Sequence, residues 1–200
     1  MVFSLFFLFF SYVYYSNILN LEDCLFYDTM TSESDRWVRT SDIIVNIDSE
    51  GTKFSTNSNS QQLYMLTGKY FTPPYTIELD WVDGGGEQKL GLQPYPSSNY
   101  SGAVCWFASH WDSGANKFII GTYPSSTSSS TKESYITRGI NPNDHLKYIV
   151  EPNSVKLYQN GELILSKHQG KTCDTQYFCF YTNKNRIQKV KNLKIKHYSE

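Results

Sequence analysis

From residue 25 onward the chain is a succession of short apolar-alternating runs, recurring about every ten residues and separated by turn formers. The best defined is VKLYQNGELIL (155–165), two such runs that meet at Asn160-Gly161. An Asn-Gly pair tolerates positive φ at both central positions, as a type I′ hairpin turn requires. Period-two alternation turns Val155, Leu157 and Gln159 to one face and Lys156, Tyr158 and Asn160 to the other. Asp48-Ser49-Glu50-Gly51 joins IIVNI (43–47) to TKFST (52–56) in the same manner, and Pro152-Asn153 joins HLKYIVE (145–151) to the Asn-Gly hairpin. About fourteen such runs, with no helical periodicity and no βαβ rhythm, predict an all-β chain folded as an antiparallel two-sheet sandwich or barrel.

A chain of 200 residues suits one domain that buries roughly 70% of its unfolded surface, so the core needs neither metal nor disulfide. Residues 22–200 are read as that domain. Residues 1–21 stand apart: MVFSLFFLFFSYVYYSNILNL is apolar, yet the first basic residue is Arg36, and no small-x-small cleavage site follows. The segment reads as a poor export signal or anchor, as a start set too far upstream, or as the tail of a preceding module. Any membrane contact is expected through it alone. Cys24, Cys105, Cys173 and Cys179 allow three disulfide pairings. Buried thiols are the expectation, and export would shift it toward disulfides.

Charge is sparse and balanced, with 18 Lys plus Arg against 19 Asp plus Glu, which speaks against nucleic acid as a partner. The late run Lys184, Arg186, Lys189, Lys191, Lys194, Lys196 alternates with Val190, Leu193 and Ile195. It reads as the solvated face of an edge strand, where lysines discourage aggregation.

Three segments carry a family resemblance. They are Lys147-Tyr148-Ile149-Val150, Val155 to Ile164 (V-K-L-Y-Q-N-G-E-L-I) and the closing Val190 to Ile195 (V-K-N-L-K-I). With LFYDTMTSESDRWVRTSD near the start and YTIELDWV (75–82) in the centre, the chain resembles the concanavalin A-like lectin and glucanase jelly rolls over most of residues 24–198. The resemblance implies the fold. It implies no single function, because lectins, glycosidases, lyases, adhesins and phage tail modules share this sandwich.

The β-glucan-cleaving members place a nucleophile Glu, an assisting Asp and an acid Glu on one strand as E-x-D-x-E, or with one more spacer, which would bring Asp83 to the third place. Glu78 and Asp80 match the first two places and share a strand face, and retaining hydrolysis needs carboxyls about 5 Å apart. The third place departs: residue 82 is Val, and Asp83 stands beside Gly84-Gly85-Gly86, where a turn acid is expected anyway. Asp48 with Glu50, or Asp83 with Glu87, offers oxygen ligands to calcium; the alternative is that they are ordinary turn acids. His110, His145, His168 and His197 are scattered singly.

Sugar recognition calls for a ring to stack on pyranose C–H faces beside hydrogen-bonding groups. Residues 95–123 hold that mixture: Tyr95, Asn99 and Tyr100, then His110, Trp111 and Asp112 in a polar loop read from His110 to Asn116. Trp111 reads as a ligand platform or as a cap over the sandwich edge; Trp37, Trp81 and Trp106 read as core. Asn99-Tyr100-Ser101 is also a glycosylation sequon.

The reading is a non-catalytic carbohydrate-recognition or adhesion module, outside a cell or on a virion, whose partners are glycans or glycosylated surfaces, with no cofactor unless calcium binds. The alternatives are a glycoside hydrolase or polysaccharide lyase built on Glu78 and Asp80, and a structural oligomerisation module.

Overall fold

The structure is a computed structural model that describes residues 24–59, 62–83, 88–93, 106–112, 117–123, 132–168, 177–182, 184 and 187–199. Among these residues there are fifteen strands and no helix. The first seven are β1 (Cys24–Asp28), β2 (Trp37–Arg39), β3 (Ile43–Asp48), β4 (Gly51–Thr56), β5 (Gln62–Leu66), β6 (Tyr75–Asp83) and β7 (Gln88–Gln93). They are followed by β8 (Trp106–Asp112), β9 (Lys117–Tyr123), β10 (Lys132–Thr137) and β11 (His145–Glu151). Last come β12 (Ser154–Gln159), β13 (Glu162–His168), β14 (Tyr177–Thr182) and β15 (Gln188–His197). Every pairing is antiparallel, in two sheets.

The first sheet runs β13-β12-β11-β6-β15-β4-β3, with β1 also on β15. The second runs β10-β9-β8-β7-β14-β5-β2. The expected hairpins form where the turn chemistry put them. Asn160 and Gly161 both have positive φ, 52° and 84°, and β12 pairs β13 across them. Val155, Leu157 and Gln159 are buried, whereas Lys156 and Tyr158 are half-exposed.

One placement differs from the sequence reading. The basic C-terminal run is no edge strand: β15 lies inside the first sheet, with β6 on one side. Its other side is shared, Gln188 to Val190 pairing β4 and Leu193 to Lys196 pairing β1. Alternation reports which face is wet, and a central strand of a one-face-buried sheet alternates as an edge strand does.

The core fills the space between the sheets. Tyr75, Ile77, Leu79 and Trp81 of β6 pack with Val190, Leu193 and Ile195 of β15, against Phe118, Phe178 and Phe180 of the second sheet. Full burial of each such side chain contributes roughly 1.5–3 kcal/mol. Trp37 and Tyr64 stack face to face, ring centroids 4.8 Å apart. A second, small cluster of Leu63, Cys179 and Tyr181 lies apart from this core. Cys24 and Cys179 are thiols; burial pushes Cys179 up to about 12. Cys105, Cys173 and residues 1–21 lie outside the described residues.

A carboxylate fastens the Asn-Gly hairpin to the segment before β11. Asp144 accepts from the Asn141 backbone N–H (2.7 Å), the Gln159 amide (2.6 Å) and the Asn160 amide (2.7 Å). Burial disfavours its charge, but these three bonds prevail and hold the carboxyl below the usual aspartate range.

Candidate functional site

Alternation along β6 sends Glu78 and Asp80 to the outer face of the first sheet, opposite the buried Ile77 and Leu79. Register then decides what surrounds them. Lys147 of β11 stands opposite Glu78 on one side and Lys194 of β15 on the other. The Lys147 and Lys196 ammoniums flank the Glu78 carboxylate at 3.8 and 3.7 Å. Asp80 bonds the His145 ring at 2.8 Å and accepts from the Asn192 amide at 2.7 Å. The Glu78 and Asp80 side chains are only 17% and 24% exposed, so both carboxylates are engaged by protein partners. Val82 is half-buried, and Asp83 is exposed at the strand end. The E-x-D-x-E pattern is therefore present in two places and absent in the third.

Of the calcium candidates, Asp48 and Glu50 do converge, but on an ammonium. Lys189 Nζ lies 2.9 Å from Asp48 and 2.9 Å from Glu50. That hydrogen bond, with the Glu50 N–H next, holds the Asp48 carboxyl below its ordinary range. Glu87 lies outside the described residues, as do Tyr95, Asn99 and Tyr100. No cluster of three metal-ligating side chains occurs among the described residues.

The loop read from His110 to Asn116 is shorter than expected. Strand β8 continues to Asp112, so His110, Trp111 and Asp112 are ladder positions, opposite Ile119, Phe118 and Lys117. Directly opposed residues share a sheet face. Trp111 thus occupies a position on the face of Phe118, a core residue, whereas His110 and Asp112 occupy positions on the outer face. Backbone pairing extended the strand through residues whose polarity reads as loop.

The same registers align small residues that are far apart in sequence. Cys179 pairs Gly91, Gly91 pairs Ala108, and Ala108 pairs Gly121. These outer-face positions form a row across four strands, about 14 Å long at the usual strand spacing. Glycine inside a strand marks a place where something can approach the backbone closely. One row along stand Tyr181, Lys89, His110 and Ile119; Cys179, Tyr181 and Ile119 are buried, so these positions are covered. On the other side is the row of Tyr177 and Gln93. The Tyr177 ring lies 6.3 Å from that of Tyr70, which is 63% exposed.

No family profile matches the sequence, and no curated protein matches it. Solved structures do match in shape. A galectin-like-fold protein of unknown function from Bacillus subtilis aligns with a TM-score of 0.68 at 10% identity, covering 88% of this chain and 96% of its own. An endo-β-1,3-glucanase from Pyrococcus furiosus gives 0.63 at 10% identity, covering 88% and 95%. The carbohydrate-binding module CBM66 from Bacillus subtilis gives 0.60 at 14% identity, covering 80% and 95%. The fold is the concanavalin A-like jelly roll.

In this jelly roll the two outer faces differ in kind. The first sheet carries a lattice of ion pairs: Lys147 and Lys196 on Glu78, Lys156 on Glu151 and Lys189 on Asp48. The second carries the row of small residues and the tyrosine pair. Sequence reading missed Tyr70, Tyr177 and the row itself. A run of Gly or Ala has no signal when its members stand at 91, 108 and 121 and meet only through pairing.

A third feature lies where the jelly roll's sheets end, between edge strands β2 and β3. A cleft of about 410 Å³ has Val45, Ile47, Trp37 and Tyr64 along its walls. Its other lining residues include Glu33, Asp35 and Arg39, all exposed. Burial, the Asp28 carboxylate and then Glu33, against Arg39, push the Tyr64 phenol up to about 12.

Proposed function

We propose that this chain is a non-catalytic carbohydrate-recognition module, acting outside the cell, that holds a glycan at the Tyr70–Tyr177 end of its second sheet. The observation that carries the reading is this tyrosine pair, in which the Tyr70 ring is exposed and Tyr177 is half-buried. An exposed tyrosine ring offers a C–H stacking surface to a pyranose. A shape neighbour that is a carbohydrate-binding module and others that are glucanases support a glycan as the ligand class. The engagement of Glu78 and Asp80 by His145, Asn192 and two lysines, on the opposite outer face, supports recognition over cleavage. Adhesion at a cell or virion surface is the setting such a module serves.

The test is a glycan array probed with the full chain and three variants, Tyr70→Ala, Glu78→Gln and Trp111→Ala. Binding to one glycan class should be lost in Tyr70→Ala. It should survive in Glu78→Gln, and no reducing ends should be released. Trp111→Ala is expected to lower stability rather than remove binding selectively. A blank array with concentration-dependent assembly would favour the structural module instead. Product release that disappears in Glu78→Gln would establish the hydrolase.

A further inference from the structure

Five strands have one unpaired side among the described residues, the five-residue β1 and the four that end the sheets, and they are protected unequally. Strand β2 has three residues, β10 begins Lys132-Glu133, and β13 carries Glu162 and Lys167. Strand β3 is six residues of IIVNID, with no Lys, Arg or Pro, and Ile44 is 44% exposed. Its pairing partner is β4, and no strand covers its other edge among the described residues. An open, apolar edge of this length is a template for a further strand.

The edge also opens onto the cleft described above. Because the first sheet stops at β3 and the second at β2, the half-buried Val45 and Ile47 face across to Trp37 and Tyr64 with room between them. A strand added to β3 would direct every second side chain into that space. The charge there is uneven. Glu33 and Asp35 outnumber Arg39, and none of the three makes an ion pair among the described residues. The Asp28 carboxylate lies behind them, bonded to the Trp37 indole.

We propose that the β3 edge and its cleft form a docking site for an extended peptide with alternating apolar and lysine side chains. The peptide adds antiparallel to β3 through backbone hydrogen bonds; its lysines enter the cleft, stems along Val45 and Ile47 and ammoniums at Glu33 and Asp35, and its apolar side chains stand beside the exposed Ile44 on the other face. This site is separate from the second sheet's outer face and does not depend on glycan recognition.

The test uses the full chain and a blocked hexapeptide of alternating valine and lysine, with a valine–glutamate hexapeptide as its opposite. Amide hydrogen exchange at residues 43–48 and backbone chemical shifts are read during titration. The lysine peptide should bind saturably and slow exchange along β3. The glutamate peptide should bind at least about fivefold more weakly. Glu33→Gln/Asp35→Asn should weaken the lysine peptide by about fivefold, the scale of two exposed ion pairs, with circular dichroism unchanged. The proposal is overturned if β3 gains no protection, or if both peptides bind alike. It is also overturned if protection rises with protein concentration and no peptide, since a second copy would then hold the edge.

Discussion

The Trp37 indole donates a 2.8 Å hydrogen bond to Asp28 Oδ2, tying β2 of one sheet to the end of β1 in the other. The second oxygen, Oδ1, accepts from the Met30 N–H at 2.7 Å. One nearly buried carboxylate therefore serves two donors. Trp37→Phe should destabilise the fold by about 2 kcal/mol, because a hydrogen bond to a charged, buried group is lost. Asp28→Asn should cost a similar amount, since the amide sets an NH2 donor where one of the two accepting oxygens stood. Urea unfolding of the double variant should fall about 1 kcal/mol short of the sum. Additive costs would mean that the two groups do not act as a unit.

Acid should weaken the hairpin lock in a defined direction. Asp144 titrates below the ordinary aspartate value of 3.8 when folded. Its contribution is thus complete above that value and is lost as pH falls through the lower, folded one. Glu151, held down by Lys156 and Ser154, acts in the same sense below 4.5. Asp144→Asn should therefore be less stable than the parent at pH 7, with the gap narrowing as pH falls below 3.8. Denaturant midpoints across that range measure this, and a gap that widens in acid would contradict the sign.

Two glycines should respond differently to alanine. Gly161 has φ of 84° and open space where a Cβ would sit, so Gly161→Ala should cost only the left-handed backbone penalty of about 1 kcal/mol. Gly51 has φ of 142°, and a Cβ there would run into the Val190 carbonyl oxygen on the neighbouring strand. Gly51→Ala should cost several times more and should shift the β4 and β15 amide resonances. Equal losses would mean that β15 yields easily at Val190.

Lys189→Met should release Asp48. The ammonium is the leading cause of the low Asp48 titration, so the variant's carboxyl should titrate higher than the parent's by carbon-detected NMR. In the parent, calcium should leave the Asp48 signal unmoved while Lys189 holds it. A calcium-induced shift in the parent would show that the ammonium is easily displaced.

What the sequence made legible was local. Asn160-Gly161, Asp48 to Gly51 and Pro152-Asn153 each fixed a hairpin because the turn chemistry and the pairing strands are contiguous. The outward placement of Glu78 and Asp80 followed from alternation alone. Their neighbours did not: His145 lies 65 residues from Asp80 and Asn192 lies 112. Asn192 reaches Asp80 from an irregularity in β15 where its own φ is 55°, and no residue pattern encodes such a register shift. Trp111 misled for the converse reason. Its polar neighbours read as a loop, while its strand position was set by pairing with Phe118.

The interior position of β15 has a consequence for how the chain is made. Until Gln188 to His197 have left the ribosome, β6 lacks its partner on that side, β1 has no strand to join, and the β3–β4 hairpin has none on its β4 side. The first sheet must wait as separate pieces, with Ile77, Leu79 and Trp81 uncovered by Val190 and Ile195. Assembly of the first sheet is therefore governed by contacts between segments far apart in the sequence, which form later than local hairpins.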